Sequence, residues 1–197
     1  MDPDLPLIRA LQAGDDSALD ELIRRHQAPL LHFVHRYLRN ETAARDVVQE
    51  TFVRTYFKAP KFEPRASVKT WIYAIAINLC RDESRRMARR RSHVSMDEPA
   101  VGDRAPPLLA DPSPSPDETA GRHDQFSALQ AAIEELPRPL REALVLFALD
   151  DRSQKETADI LGTTPKTVEL RVYHAKSRLR QMLRGMLGDS RRDNRAG

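Results

Sequence analysis

The fold of this chain is decided by Ser153–Leu183, which reads SQKETADILGTTPKTVELRVYHAKSRLRQML. Gly162 separates two helical patterns, and glycine readily adopts the positive φ that a tight turn requires. Pro165 fits the first turn of the second helix, where its missing N–H costs no hydrogen bond. Beyond it, apolar residues recur with the spacing of one helical face: Val168, Val172, Ala175, Leu179, Met182 and Leu183. The stretch therefore predicts a helix-turn-helix.

The opposite face of the second helix is polar and mostly basic. A surface of this size and charge suits the DNA major groove, where side chains reach the base edges. The residues on this face are Lys166, Thr167, Glu169, Arg171, Tyr173, His174, Lys176 and Arg178. An ordinary amphipathic helical hairpin with a solvated basic face would show the same pattern, so this pattern alone leaves both interpretations open.

Composition favours an all-α, soluble protein. Of 197 residues only seven are glycine, and stretches that alternate apolar and polar residues are scarce. The single cysteine, Cys80, excludes an intramolecular disulfide and is compatible with a reducing cytoplasm. We recognise no segment that predicts a membrane span or a secretory signal. We therefore expect a cytoplasmic protein without membrane insertion.

Charge divides the chain into two basic segments and an acidic one between them. Residues 1–93 carry 17 basic and 12 acidic residues, a net +5, and residues 123–197 carry 13 and 11, a net +2. Residues 94–122 carry two and six, a net −4, and hold six of the 14 prolines. Because this middle segment has few large apolar residues, it cannot bury enough surface to fold alone.

Apolar periodicity predicts helices in both basic segments. In the first segment, helices are expected to begin near residues 5, 17, 29, 42 and 68, with Pro29 starting a new helix and Ser67 capping the last. In the second, helices near 125–136 and 140–149 precede the helix-turn-helix. We thus predict two small helical domains, a flexible linker and a disordered basic tail, at 5–93, 123–187, 94–122 and 188–197 respectively.

A second group of candidates surrounds the loop between the predicted helices 42–58 and 68–91. Cations beside aromatic rings and amides are what binding of single-stranded DNA requires, and each stacked base contributes about 1 to 3 kcal/mol. The group consists of Phe57, Lys58, Lys61, Phe62, Arg65, Lys69, Tyr73 and Asn78. Alternatively, Phe62 is a core residue and the lysines form a solvated rim. Trp71 falls on the inward stripe, and we expect it in the core.

One side of helix 42–58 carries Asp46, Gln49, Glu50 and Arg54. Two carboxylates four residues apart could hold a divalent metal for phosphodiester chemistry, but no further ligands are evident. His32 and His35 likewise lack a third ligand. We find no glycine-rich phosphate loop and no serine nucleophile motif. The better interpretation is a solvated face or a docking face for a protein partner, and we predict no catalytic residues, no metal and no cofactor.

Three motifs in order resemble the bacterial RNA polymerase sigma factors of the extracytoplasmic-function type. They are ARDVVQETFVRTY at Ala44–Tyr56, TWIYAIAINLCRDESRR at Thr70–Arg86, and ELPRPLREALVLFALDDRSQKETADILGTTPKTVELRVYHAKSRL at Glu135–Leu179. The resemblance implies a sigma region 2-like domain at 5–93 and a region 4-like domain at 123–187. It also implies a protein that is not an enzyme, that binds core polymerase and that directs promoter-specific transcription initiation.

The resemblance assigns roles to the candidate residues. It implies that core polymerase is contacted, directly or through support, by Asp46, Gln49, Glu50 and Phe52. It implies contact with the melted minus-ten element by Lys61, Phe62, Arg65, Lys69, Tyr73, Asn78 and Arg81. It implies contact with the minus-thirty-five duplex by Lys166, Thr167, Glu169, Arg171, Tyr173, His174 and Lys176. An anti-sigma factor is a further implied partner.

Three other interpretations remain. A stand-alone helix-turn-helix regulator would use the same recognition helix but would bind its site without polymerase. An enzyme would use Asp46 and Glu50 with a metal on nucleic acid. An adaptor protein would show no dependence on a promoter.

Overall fold

The computed structural model describes residues 2–94 and 127–193, with side chains described through Arg90 in the first stretch and Arg184 in the second. Residues 95–126, which include nearly all of the predicted linker, and residues 194–197 lie outside the described parts. Every regular element in the two described stretches is helical, which confirms the prediction of an all-α fold.

The described residues form two compact units, which confirms the prediction of two helical bodies. The first unit contains residues 2–94 together with Lys155–Thr163, and the second contains the remainder of 127–193. The domain boundaries drawn from the sequence stay predictions.

The first unit is a helical bundle with a continuous core. Its elements are α1 (Leu5–Gln12), α2 (Ser17–Leu38), α3 (Glu41–Lys58), a 3₁₀ turn (Ala59–Lys61) and α4 (Val68–Val94). Helices α2, α3 and α4 pack against one another, and α1 packs against α2 and the 3₁₀ turn. Phe33 of α2 and Tyr73 of α4 meet in the core with their ring centroids 5.3 Å apart.

Local capping fixes where these helices begin and end. Arg39 adopts a left-handed conformation, φ 56°, and its N–H bonds to the carbonyl of His35 at 2.8 Å, which ends α2. The Asn40 side chain accepts from the N–H of Ala43 at 2.8 Å and begins α3. The Ser67 hydroxyl accepts from the N–H of Thr70 at 3.1 Å, which confirms the predicted cap of α4.

Pro29 does not start a new helix, as the sequence predicted, but lies inside the continuous helix α2. A proline in a helix removes one backbone hydrogen bond and crowds the preceding turn. In α2 the proline side chain is exposed, while Leu22, Leu30 and Phe33 on both sides of it are fully buried. Packing of these residues on the bundle therefore outweighs the local cost of the proline.

The second unit packs the helices Arg138–Leu144 and Pro165–Asp193 against each other around a small apolar core. The described part of α5 covers residues 127–134, and α6 spans Arg138–Leu144, followed by a π-helical turn at Val145–Leu149. The buried core residues are Ala132, Leu136, Leu144, Ala175 and Leu179. Helix α6 begins two residues before the predicted start at residue 140 and has Pro139 in its first turn, where a proline loses no intrahelical bond.

The backbone from Gln154 follows the predicted order of helix, glycine turn and helix. Helix α7 spans Gln154–Leu161, and α8 spans Pro165–Asp193. Gly162 has φ +63°, and the N–H of Thr163 bonds to the carbonyl of Ala158 at 2.9 Å. Because α8 runs through Asp193, residues 188–193 are helical and not part of a disordered tail as predicted.

A buried carboxylate ties the start of the chain to α2. Asp4 is 4% exposed, and its oxygens lie 2.8 Å from Nε2 of His26 and 3.0 Å from Nη1 of Arg25. His26 is buried as well. A buried polar group that loses its partner retains its full desolvation cost.

We predict that Asp4→Ala lowers the free energy of unfolding by about 1 to 3 kcal/mol, because it leaves the buried His26 ring without its partner. Urea denaturation followed by circular dichroism measures this change. The matched control is Asp20→Ala on the exposed face of α2, which should cost about 0.5 kcal/mol or less. Equal losses in the two variants would show that the contact between Asp4 and His26 contributes nothing.

Candidate nucleic-acid interface

The loop between α3 and α4 presents cations to solvent, as predicted. Lys61, Arg65 and Lys69 are all exposed. Arg65 forms an ion pair with Glu63 at 2.8 Å, in which both side chains are largely exposed. Such a pair contributes at most about 1 kcal/mol, so a phosphate can replace the carboxylate at little cost.

Phe62 and Trp71 form an aromatic platform at the end of this loop. Their ring centroids are 4.7 Å apart, and both residues are partly exposed. The structure therefore corrects the expectation that Trp71 is a core residue. Phe62 is not a fully buried core residue either, because its ring packs on Trp71 but stays partly exposed to solvent.

The platform continues into an exposed stripe of α4. Trp71, Ala74, Asn78 and Arg81 follow one another at intervals of three or four residues, and each is at least partly exposed. Asn78 donates to the carbonyl of Ala74 at 2.9 Å and accepts from Nη1 of Arg81 at 2.8 Å. Asn78 and Arg81, both in the predicted minus-ten set, are thus bonded to each other on this stripe.

Tyr73 is a correction to the predicted DNA-binding set. Its side chain is 0% exposed and packs against Phe33, so its ring is not available to stack on a base. Helix α4 packs against both α2 and α3. The buried part of its surface is therefore wider than the single stripe that the apolar periodicity predicted. Tyr73 lies within that wider buried part, beside the buried Ile72 and Ile77.

The outer face of α3 combines carboxylates with apolar side chains. Asp46 and Gln49 are exposed, and Glu50 accepts from Nε of Arg54 at 2.8 Å. Phe52 is buried, so it can support this face from below but does not reach a partner.

The sequence did not assign the exposed Val53 to this face, nor Phe57, which is 73% exposed. Their spacing from Gln49, four and eight residues, was the signal that could have placed them there.

Tyr56 anchors this end of α3. Its hydroxyl hydrogen-bonds to the Asp16 carboxylate, and that bond together with the carboxylate charge raises the pKa of Tyr56 above its ordinary value. The Tyr56 ring meets Phe57 edge to face at a centroid distance of 5.4 Å.

Helix α8 keeps the predicted recognition face open. Lys166, Glu169, Tyr173, His174 and Lys176 are exposed, and Thr167 and Arg171 are half-buried. The opposite face is buried through Val168, Val172, Ala175 and Leu179. Both carboxylate oxygens of Glu169 accept from Nζ of Lys166, at 3.0 and 3.1 Å. The hydroxyl of Thr164 accepts from the N–H of Thr167 at 3.2 Å and caps the helix.

Leu170 is a further candidate, outside the set of residues predicted to contact the duplex. It is 48% exposed on α8, between Glu169 and Arg171. Its exposure could have been predicted from its position two residues after Val168, because two residues of helix turn it by about 200° away from the buried stripe. A large apolar side chain on a recognition face suits the methyl group of thymine.

Within the two described stretches, no group of three or more His, Cys, Asp or Glu residues is arranged to hold a metal ion. No helix among the described residues is long and apolar enough to cross a membrane.

A helical bundle with an exposed basic and aromatic loop, followed by a helix-turn-helix with an exposed polar face, is the architecture of a DNA-binding protein. Residues 22–91 match the Sigma-70 region 2 family, and residues 126–179 match the Sigma-70, region 4 family. The chain belongs to the sigma-70 factors, within the extracytoplasmic-function group, and directs transcription initiation. The resemblance drawn from the sequence is thereby confirmed, and a stand-alone regulator is not favoured.

Relatives of known identity support this assignment. The chain is 33% identical to the ECF RNA polymerase sigma factor SigE of Mycolicibacterium smegmatis, over 86% of this chain and 64% of that relative. It is 32% identical to the ECF RNA polymerase sigma factor SigM of Mycobacterium tuberculosis, over 91% and 84%. The solved structure of CnrH in complex with the cytosolic domain of CnrY superposes with a TM-score of 0.66 at 26% identity, covering 92% of this chain and 97% of that one.

We predict that Tyr73 contributes to stability and not to DNA contact. Tyr73→Ala should lower the free energy of unfolding by about 3 to 5 kcal/mol, because it leaves a cavity beside Phe33. Tyr73→Phe keeps the ring and should leave promoter opening, measured by permanganate reactivity of unpaired thymines, unchanged. Normal stability combined with lost opening in Tyr73→Phe would instead place the hydroxyl at the DNA.

Proposed function

We propose that this chain confers promoter specificity on bacterial RNA polymerase through three surfaces. The outer face of α3 docks on core polymerase, the loop and exposed stripe of α4 hold the melted minus-ten strand, and α8 reads the minus-thirty-five duplex. The observation that carries this proposal is the occurrence, in one chain, of two separate DNA-suited surfaces of different chemistry. One has aromatic rings suited to unstacked bases, and the other has a helix face suited to a duplex groove.

The minus-ten surface is suited to single-stranded DNA because its rings and cations alternate. Phe62 and Trp71 offer a platform for a flipped base, and Asn78 offers an amide for a base edge. Lys61 and Arg65 lie beside the platform and can follow the phosphates. Stacking one base contributes about 1 to 3 kcal/mol, which offsets the few kcal/mol required to unstack a base step.

The minus-thirty-five surface is suited to duplex DNA because α8 is open along its first three turns. Arg171 and Lys166 can contact guanine edges or phosphates, and Glu169 can accept from a cytosine amine. The ion pair between Lys166 and Glu169 is exposed at both side chains, so binding can exchange it for base contacts at little cost.

The α3 face is suited to a protein partner because it joins charge to exposed apolar area. Asp46 and Gln49 supply polar contacts, and Val53 and Phe57 supply apolar surface that water covers in the free chain. The related protein CnrH is seen in complex with the cytosolic domain of CnrY. By analogy, we propose that this chain also binds a protein partner, that this partner is the anti-sigma factor implied by the sequence resemblance, and that it competes with core polymerase.

We further propose that the chain works in the cytoplasm and is not an enzyme. The family to which it belongs consists of subunits of the transcription machinery, and polymerase itself forms the phosphodiester bonds. Asp46 and Glu50 then serve docking, with Glu50 held by Arg54.

Footprinting with and without core polymerase tests the proposal. We expect the purified chain alone to leave promoter DNA unprotected, and the chain with core polymerase to protect both elements and to support run-off transcription. Protection by the chain alone would favour a stand-alone regulator. Absence of transcription with core polymerase would contradict the proposal.

We predict that Asp46→Lys weakens binding to core polymerase by roughly tenfold or more, equivalent to about 1.4 kcal/mol, because it reverses an exposed charge on the docking face. Surface plasmon resonance on immobilised core polymerase measures the affinity. Asp20→Lys makes the same charge change on an exposed site of α2 and should bind as the parent chain does. Identical affinities for the two variants would remove Asp46 from the interface.

We predict that Leu170 contacts a thymine methyl group in the minus-thirty-five duplex. Replacing that thymine by uracil removes only the methyl group and should weaken binding of the parent holoenzyme roughly fivefold, about 1 kcal/mol. Leu170→Ala should bind the thymine and uracil duplexes equally. If uracil weakens both proteins to the same extent at every position, Leu170 does not contact a methyl group.

A further inference from the structure

The segment Asp2–Gln12, which we call the brace, forms hydrogen bonds at both ends of the loop at residues 61–67, which we call the minus-ten loop. It lies outside the Sigma-70 region 2 match at residues 22–91. Its helix α1 packs on α2 and on the 3₁₀ turn Ala59–Lys61. The brace is packed on the bundle through Ile8, which is fully buried, and Leu11, which is nearly so.

Gln12 fixes the first end of the loop. Its Nε2 donates to the carbonyl of Ala59 at 2.9 Å and to the carbonyl of Phe62 at 3.2 Å. A side-chain amide has two N–H donors, so one Gln12 side chain can satisfy both acceptors. Ala59 is the first residue of the 3₁₀ turn and Phe62 directly follows its last, so the two bonds hold the backbone where the loop begins.

Asp2 fixes the second end of the loop. Its Oδ2 accepts from the N–H of Val68, the first residue of α4, at 2.6 Å. The first N–H groups of a helix have no intrahelical acceptor, and a carboxylate there is also favoured by the helix dipole. The other oxygen of Asp2 accepts from the N–H of Asp4 at 3.1 Å, and Asp4 is bound to His26 of α2.

We propose that the brace is a positioning element for capture of the melted minus-ten strand. Held at both ends, the loop presents Lys61, Phe62 and Arg65 in one arrangement before DNA arrives, so less conformational freedom is lost on binding. This inference rests on the proposed function, because it assigns to the loop the capture of single-stranded DNA. Gln12 and Asp2 act through the loop backbone and need not touch DNA.

The test compares two glutamine variants in the holoenzyme. Gln12→Met keeps the length and neutrality of the side chain but removes both donors. Gln27→Met is the matched control on the exposed surface of α2. The probe is a fluorescein-labelled non-template minus-ten strand from a promoter selected with the parent holoenzyme. We expect Gln12→Met to bind the strand roughly five- to tenfold more weakly, and Gln27→Met to bind as the parent does.

Two further measurements separate positioning from general stability. Hydrogen exchange at residues 62–67 should be faster in Gln12→Met, while binding of duplex minus-thirty-five DNA stays at the parent value. Asp2→Ala should reproduce the effect on strand binding, and Asp2→Asn, which keeps an acceptor oxygen for Val68, should restore most of it.

The inference is overturned if Gln12→Met retains parent strand affinity, or if exchange at residues 62–67 is unchanged. It is also overturned if strand and duplex binding fall together, since that would indicate a general loss of fold. A parent holoenzyme that fails to bind the strand would overturn the proposed function and this inference with it, and the parent measurement alone reveals that case.

Discussion

Burial of one stripe of α4 is the constraint on which the minus-ten surface depends. Val68, Ile72 and Ala76 are fully buried in the bundle, and this fixes the rotation of the helix about its axis. The stripe from Trp71 to Arg81 is then held toward solvent, because both stripes belong to one rigid element. The same hydrophobic burial that stabilises the fold therefore orients the side chains assigned to DNA.

Both DNA-suited surfaces keep cations in exposed intrachain ion pairs. Arg65 pairs with Glu63 near the minus-ten platform, and Lys166 pairs with Glu169 on α8. Exposed pairs of this kind contribute about 0 to 1 kcal/mol, whereas a buried pair resists separation because one charge would be left desolvated. Each cation therefore has a partner in the free chain, and phosphate can displace that partner at little energetic cost. The acidic partners also reduce repulsion among the basic residues before DNA is bound.

Local patterns in the sequence were sufficient for the helix-turn-helix and for the cap of α4. Gly162 and Ser67 act on their immediate neighbours, so their roles can be inferred from a few residues. Pro29 and Tyr73 were predicted wrongly because contacts from distant elements decide them. Core packing keeps α2 helical on both sides of Pro29. Helix α4 packs against two neighbouring helices, so more of its surface is buried, and this surface includes Tyr73. A helical pattern gives the centre of a buried face but not its width.

The two DNA-suited surfaces differ in the sequence separation of the contacts that fix their geometry. The α8 surface is set by one helix and its cap, in which Thr164 and Thr167 are three residues apart. The minus-ten loop is held by bonds that span 47 and 50 residues from Gln12 and 66 residues from Asp2. Under the proposed function, substitutions on the exposed face of α8 can change base preference with little effect on stability, because they remove no core contact. At the loop, substitution of Gln12 or Asp2 removes a bond that holds the loop backbone, so under our proposal residues distant in sequence also constrain the geometry of DNA capture.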